Sequence, residues 1–165
     1  MKDKKVQFIT RAGLISALYV ALVFPSFSFA SGFFQIRFCE ALTILPLFFI
    51  EAIPGLFIGC LIVNLITGCA LIDIILGALI MLVASLLTFV VGKIIKNTVL
   101  KFIVGGFFPI ILNAFLLPLI WYLAYGKLEI VYIYNVISLL ISQSVSIYLF
   151  GIIVLISVKK LMKTK

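Results

Sequence analysis

The sequence predicts an all-α integral membrane protein: one compact domain, residues 1–165, built as a bundle of six transmembrane helices. Three observations predict it. Of the 165 residues, 65% are hydrophobic and 11% charged, and the mean hydropathy is +1.42, more apolar surface than a water-soluble domain of this length can bury. Apolar runs continue to the C-terminal end, which a cleaved signal peptide ahead of a soluble domain would not produce. The cations behind the net charge of +8 flank those runs, at Lys2, Lys4, Lys5 and Arg11, at Lys93, Lys96 and Lys101, and at Lys159, Lys160, Lys163 and Lys165. Such a distribution marks topology rather than a nucleic-acid surface, so the lipid bilayer is an expected partner and nucleic acid is not.

Residues 12–30, 72–92, 102–124 and 131–158 each supply the ~20 apolar residues that a spanning helix needs. Residues 40–67 are long for one pass and short for two. Glu51, Pro54 and Gly55 fall together there in IEAIPG, and proline with glycine favours a break or tight turn, which divides the segment into short passes over 40–51 and 53–67. Charge supports the division. With six passes the three basic clusters share one side with both termini, leaving Arg37 and Lys127 opposite; with five, two clusters would move outside, against the positive-inside rule. Both termini are therefore expected in the cytoplasm of a multi-pass plasma-membrane protein. The two short passes are expected to be tilted or shielded by neighbours.

The first span carries Gly13, Ala17 and Ala21 at four-residue spacing. This ridge of small side chains lets another helix approach closely, inside the bundle or from a partner. No charge interrupts the span, which shows no chemistry of its own. Elsewhere the intramembrane polar residues stand out, because such groups are expensive in lipid and face a bundle interior or cavity. Glu40 is the strongest candidate, as a carboxylate accepting hydrogen bonds from a solute or as a partner for Arg37, which in turn either clamps a ligand or balances the charge. Asp73 suits a helix N-cap as well as a site. Glu51 reads as a solvated turn residue. Asn64, Asn113 and Gln143 bring donors and acceptors where hydrocarbon offers none. Asn135, Ser138, Ser142 and Ser146 share one face of the last span. Trp121, Tyr122, Tyr125, Tyr132 and Tyr134 gather on the extracytoplasmic side. Cys39, Cys60 and Cys69 read as small buried hydrophobes.

The chain has no histidine and no GxxxxGK[ST], HExxH or GxSxG sequence, so no enzyme, metal site or cofactor is expected. A membrane scaffold whose polar stripe only joins helices remains an alternative at this point.

QIRFCEALTILPLFFIEAIPGLFIGCLIVNLITG, residues 35–68, resembles the signature region of the QueT-type queuosine-precursor transporter family, which reads approximately QxR, then SEALTxLPLF, then AIPGLFxGCxIxN. Cys39 stands where serine is usual. The resemblance covers Arg37, Glu40 and Asn64 as motif positions. It implies the substrate-binding S-component of an energy-coupling factor (ECF) transporter, six helices with both termini cytoplasmic. Such a component works with a transmembrane coupling protein and two cytoplasmic ATPases, and is thought to topple in the membrane with its cargo. It also implies that the Gly13, Ala17 and Ala21 ridge docks against the coupling protein. The implied solute is queuine or a pre-queuosine base, all 7-deazaguanines, with another vitamin as the alternative. Glu40 would accept from the paired N–H donors of the base, Asn64, Asn113 or Gln143 would read its carbonyl, Phe33, Phe34, Trp121 or Tyr125 would stack on it, and Asp73 would face an exocyclic amine.

Overall fold

A computed structural model describes residues 2–26, 36–125 and 130–163, and among these every regular element is helical. The elements are α1 (Lys2–Ser26), a 3-10 helix (Phe38–Leu47), α2 (Ala52–Ile66), α3 (Leu71–Ile94), α4 (Thr98–Tyr125), and a last helix built as α5 (Ile130–Ser144), a π turn (Val145–Phe150) and α6 (Gly151–Lys163). Four helical stretches are long and apolar enough to cross a membrane, and two shorter apolar helices lie between them in sequence. Several of their ends run past the expected spans through turns that carry cations, as at Lys2–Arg11, Lys93, Lys101 and Lys159–Lys163. Residues 27–30 of the expected first span, and most of the loop at 31–39, lie outside the described residues.

The first short pass departs from expectation. It is a 3-10 helix rather than an α-helix, and Cys39 to Leu47 are all buried. At ~2.0 Å per residue its ten residues reach about 20 Å, well short of the ~30 Å hydrocarbon core. A 3-10 run of this length is uncommon on its own. Here α1, α2, α3, α4 and the last helix all pack around it, so its strained hydrogen bonds are never offered to lipid. Its leading backbone N–H groups are satisfied by hydroxyls from two directions: Phe38 N donates to Ser26 Oγ at 2.9 Å and Arg37 N donates to Ser146 Oγ at 3.2 Å. Ser146 belongs to the π turn, so part of the serine stripe serves to hold the entry to the 3-10 helix.

The break also differs from expectation. It falls in the turn at 48–51, ahead of Pro54. Pro54 lies in the first turn of α2, where backbone N–H groups lack helical partners and proline costs little. Gly55 is a packing residue: a Cβ there would lie 2.8 Å from the Ala12 carbonyl oxygen, and one on Gly59 would lie 3.0 Å from the Tyr19 Cβ. These two glycines, one turn apart, let α2 press against α1. Glu51 is not simply solvated, since Arg11 Nη1 lies 3.0 Å from its Oε1 and ties α1 to that turn.

Around the central 3-10 helix, α1 to α5 are neighbours in chain order. Apolar side chains fill both faces of each long helix. On α3, Ile75, Leu79, Val83, Leu86 and Val90 point outward, while Gly77, Ala78, Met81, Ala84 and Ser85 turn inward. Arg11 and Glu51 mark one end of the bundle with Lys101, whose Nζ lies 5.8 Å from the centre of the Phe48 ring. The opposite end holds a cavity.

Candidate functional site

The cavity has a volume of about 290 Å³, at the lower end of small-ligand sites. Its wall is assembled from α1 (Tyr19, Val23, Ser26), the 3-10 helix and its approach (Arg37, Cys39, Glu40), α2 and its exit (Cys60, Asn64, Thr67, Cys69), α3 (Asp73, Gly77, Met81) and α4 (Asn113, Leu117, Trp121). Six of the seven expected binding residues therefore converge: Arg37, Glu40, Asn64, Asp73, Asn113 and Trp121. The seventh, Gln143, does not line the cavity; it is buried in the bundle at 2% exposure. Phe33 and Phe34 lie outside the described residues, as does the Tyr125 side chain.

Glu40 sits at the centre of the polar wall, 2% exposed. Tyr19 donates its hydroxyl proton to Glu40 Oε1 at 3.0 Å, and Asn113 Nδ2 donates to Oε2 at 3.5 Å. A carboxylate offers about four acceptor sites, and among the described residues Tyr19 and Asn113 occupy two of them. Both partners fix the carboxylate from different helices without neutralising it. Arg37 lines the same cavity and supplies the positive charge on its wall.

Tyr19 is the residue that the sequence pattern does not single out, and it corrects the view that the first span has no chemistry. Its hydroxyl, in the middle of an apolar helix, must find an acceptor when buried, and this is the signal the sequence carries. The ring lies over Gly59, which sets its direction toward Glu40. The three cysteines are more than small hydrophobes: each lines the cavity, with Cys60 Sγ accepting from Asn64 Nδ2 at 3.8 Å and Cys69 Sγ 3.3 Å from Thr67 Oγ1.

The exit from α2 is shaped by its C-cap. Cys69 N donates to Asn64 O at 3.2 Å and Gly68 N to Leu65 O at 3.3 Å, with Gly68 at φ +69°. That is the Schellman arrangement, in which a glycine takes the left-handed position, and it holds Asn64, Thr67 and Cys69 around one wall. Asp73 is not the N-cap of α3. Ala70 holds that position and Asp73 lies in the first turn, where a carboxylate is favoured by the helix dipole. Its Oδ2 accepts from Trp121 Nε1 at 3.3 Å. Among the described residues, no three of Cys, Asp and Glu come together as a metal site.

Gly77 leaves room for this wall. A Cβ at that position would lie 3.0 Å from Asn64 Nδ2, tighter than ordinary contact, so the amide would have to shift. Gly77→Ala is expected to keep the fold and weaken solute binding about tenfold, measured by equilibrium binding to the purified chain; unchanged affinity would remove Asn64 from the contact set.

The small ridge on α1 faces away from all of this. Gly13, Ala17 and Ala21 are exposed, and a Cβ on Gly13 would meet nothing within 4 Å. Within the chain the close α1 contact is made by Gly55 and Gly59 of α2 instead.

A family model described as QueT transporter matches residues 9–160. No curated protein and no solved structure matches the chain.

Proposed function

The chain belongs to the QueT transporter family and is a membrane transport protein, and on that premise we propose that it is the substrate-binding S-component of an ECF-type ABC transporter importing queuosine precursors. In this reading residues 1–165 form one six-helix domain with both termini in the cytoplasm, as the basic clusters favour. The cavity then opens from the outer side of the plasma membrane. A transmembrane coupling protein and two cytoplasmic ATPases complete the machine, and this chain supplies capture rather than hydrolysis.

The observation that carries the reading is the held carboxylate of Glu40. Its two oxygens are fixed by Tyr19 and Asn113 in a cavity that Arg37, Asn64 and Asp73 also line, which suits the adjacent N–H donors of a deazaguanine edge. Asn64 on the same wall is available to the base carbonyl, and Arg37 balances or orients. Below Glu40, Leu42 to Leu47 are buried among neighbouring helices. The packing supports a site loaded from one end and carried across with the whole subunit, rather than a channel. The exposed ridge of Gly13, Ala17 and Ala21 supports a docking surface for the coupling protein.

The test is thermal stabilisation of the purified chain in detergent by queuine and the pre-queuosine bases, with guanine and riboflavin as controls. A solute that binds only the folded form raises the melting point once it exceeds its Kd. A rise with the deazaguanines and not the controls is expected. A rise with riboflavin alone would replace the cargo.

A further inference from the structure

Building on the cavity as the solute site, we infer that Ser146, which does not line that cavity, is a positioning residue for it: with Ser26 it caps the backbone from which Glu40 is presented. The leading N–H groups of a helix have no partners within the helix. The 3-10 helix supplies no side-chain cap of its own, since Arg37 holds the N-cap position in extended backbone and its side chain makes no capping bond. The caps come from other helices. Ser26 of α1 accepts from Phe38 N at 2.9 Å, and Ser146, 109 residues beyond Arg37, accepts from Arg37 N at 3.2 Å.

The Arg37 backbone links this cap to the site. Its N–H is held by Ser146 and its carbonyl accepts from Glu40 N at 3.1 Å, so a single residue joins Ser146 to the carboxylate that faces the solute. The Glu40 carbonyl accepts in turn from Thr43 Oγ1 at 2.7 Å. The π turn that carries Ser146 is anchored beside the 3-10 helix. Ile147 packs with Ile44 and Leu47, the Phe150 ring lies 4.7 Å from that of Phe38, and Tyr148 donates to Ile103 O at 2.8 Å. Ser146 is fully buried, so its hydroxyl is set by this packing rather than by solvent. Removing it releases one of the two hydroxyl restraints on the entry. The fraction of molecules with Arg37 and Glu40 in place then falls, and affinity falls in proportion.

The experiment measures binding of queuine and the pre-queuosine bases to the full chain in lipid nanodiscs, for the native protein, Ser146→Ala, Ser146→Cys and Ser144→Ala. Amide hydrogen exchange at residues 37–40 is followed in the unliganded state. Ser144 is the control, because its hydroxyl donates to Leu140 O within its own helix, and Ser144→Ala should bind as the native chain does. Ser146→Ala is expected to bind about tenfold more weakly, by the same factor for every base since Ser146 touches none of them, and to speed exchange at 37–40. Ser146→Cys keeps a weak acceptor and should fall between; if Ser146→Ala fails to fold, Ser146→Cys decides by the same two readouts. Native affinity with only a lowered melting point would make Ser146 a packing residue, overturning this inference and leaving the cargo reading intact. Unchanged exchange at 37–40 also overturns it, as do losses that differ from base to base, which would make Ser146 a solute contact. Binding of no base by the native chain overturns the cargo reading, and the inference with it.

Discussion

Glu40→Gln is expected to reduce deazaguanine affinity by roughly 10²–10⁴-fold while leaving the unliganded protein folded. The carboxylate presents charge-assisted acceptors, each worth about 1.5–3 kcal/mol, and two of them facing the base give about 3–6 kcal/mol. Glutamine has nearly the same shape, but half of its terminal group becomes a donor. Inside the protein the change is absorbed: the Tyr19 hydroxyl can donate or accept, and the Asn113 amide can turn to present its oxygen. Toward the solute it cannot be absorbed, because a donor would face the N–H groups of the base. Calorimetric titration gives the affinity, and a melting curve without ligand checks the fold. Normal binding by this variant would sink the central role of Glu40.

Replacing Ala17 with leucine is expected to lower uptake by cells containing the complete transporter more than tenfold, with solute binding by the isolated chain unchanged. Ala17 is exposed between Gly13 and Ala21, so the isobutyl side chain of leucine meets only lipid in the isolated chain. A helix packed against the ridge would be pushed away, since small-residue interfaces owe their close approach to the absence of side-chain bulk. Uptake assays, binding assays and copurification of the coupling protein together separate the steps. Uptake at the native level would make the ridge a lipid-facing surface. Loss of binding in the isolated chain would return the ridge to internal packing, against its exposure.

Much of the candidate site is legible in the sequence alone. Charged and amide groups within apolar runs are conspicuous, and Arg37, Glu40, Asn64, Asp73, Asn113 and Trp121 all reach one cavity. Gln143 shares their chemistry but not their location. Tyr19 escapes notice because an aromatic residue in a spanning segment reads as apolar, and its partner is 21 residues away. Pairings such as Asn113 with Glu40 and Trp121 with Asp73, 73 and 48 residues apart, have no local signature.

The sequence by itself determined the membrane class, the division into long and short helical segments, the family motif and the polar residues that a site would need. The bilayer imposes these locally, as runs of apolar residues with flanking cations and rare buried polar groups. Only the tertiary structure decided the rotation of each helix, the 3-10 form of the buried pass and the outward face of the α1 ridge. Helices apolar on every side carry no strong amphipathic signal of which face turns inward. That choice is made by close contacts such as Gly55 and Gly59 against α1 and by hydroxyls meeting backbone donors at the entry to the 3-10 helix.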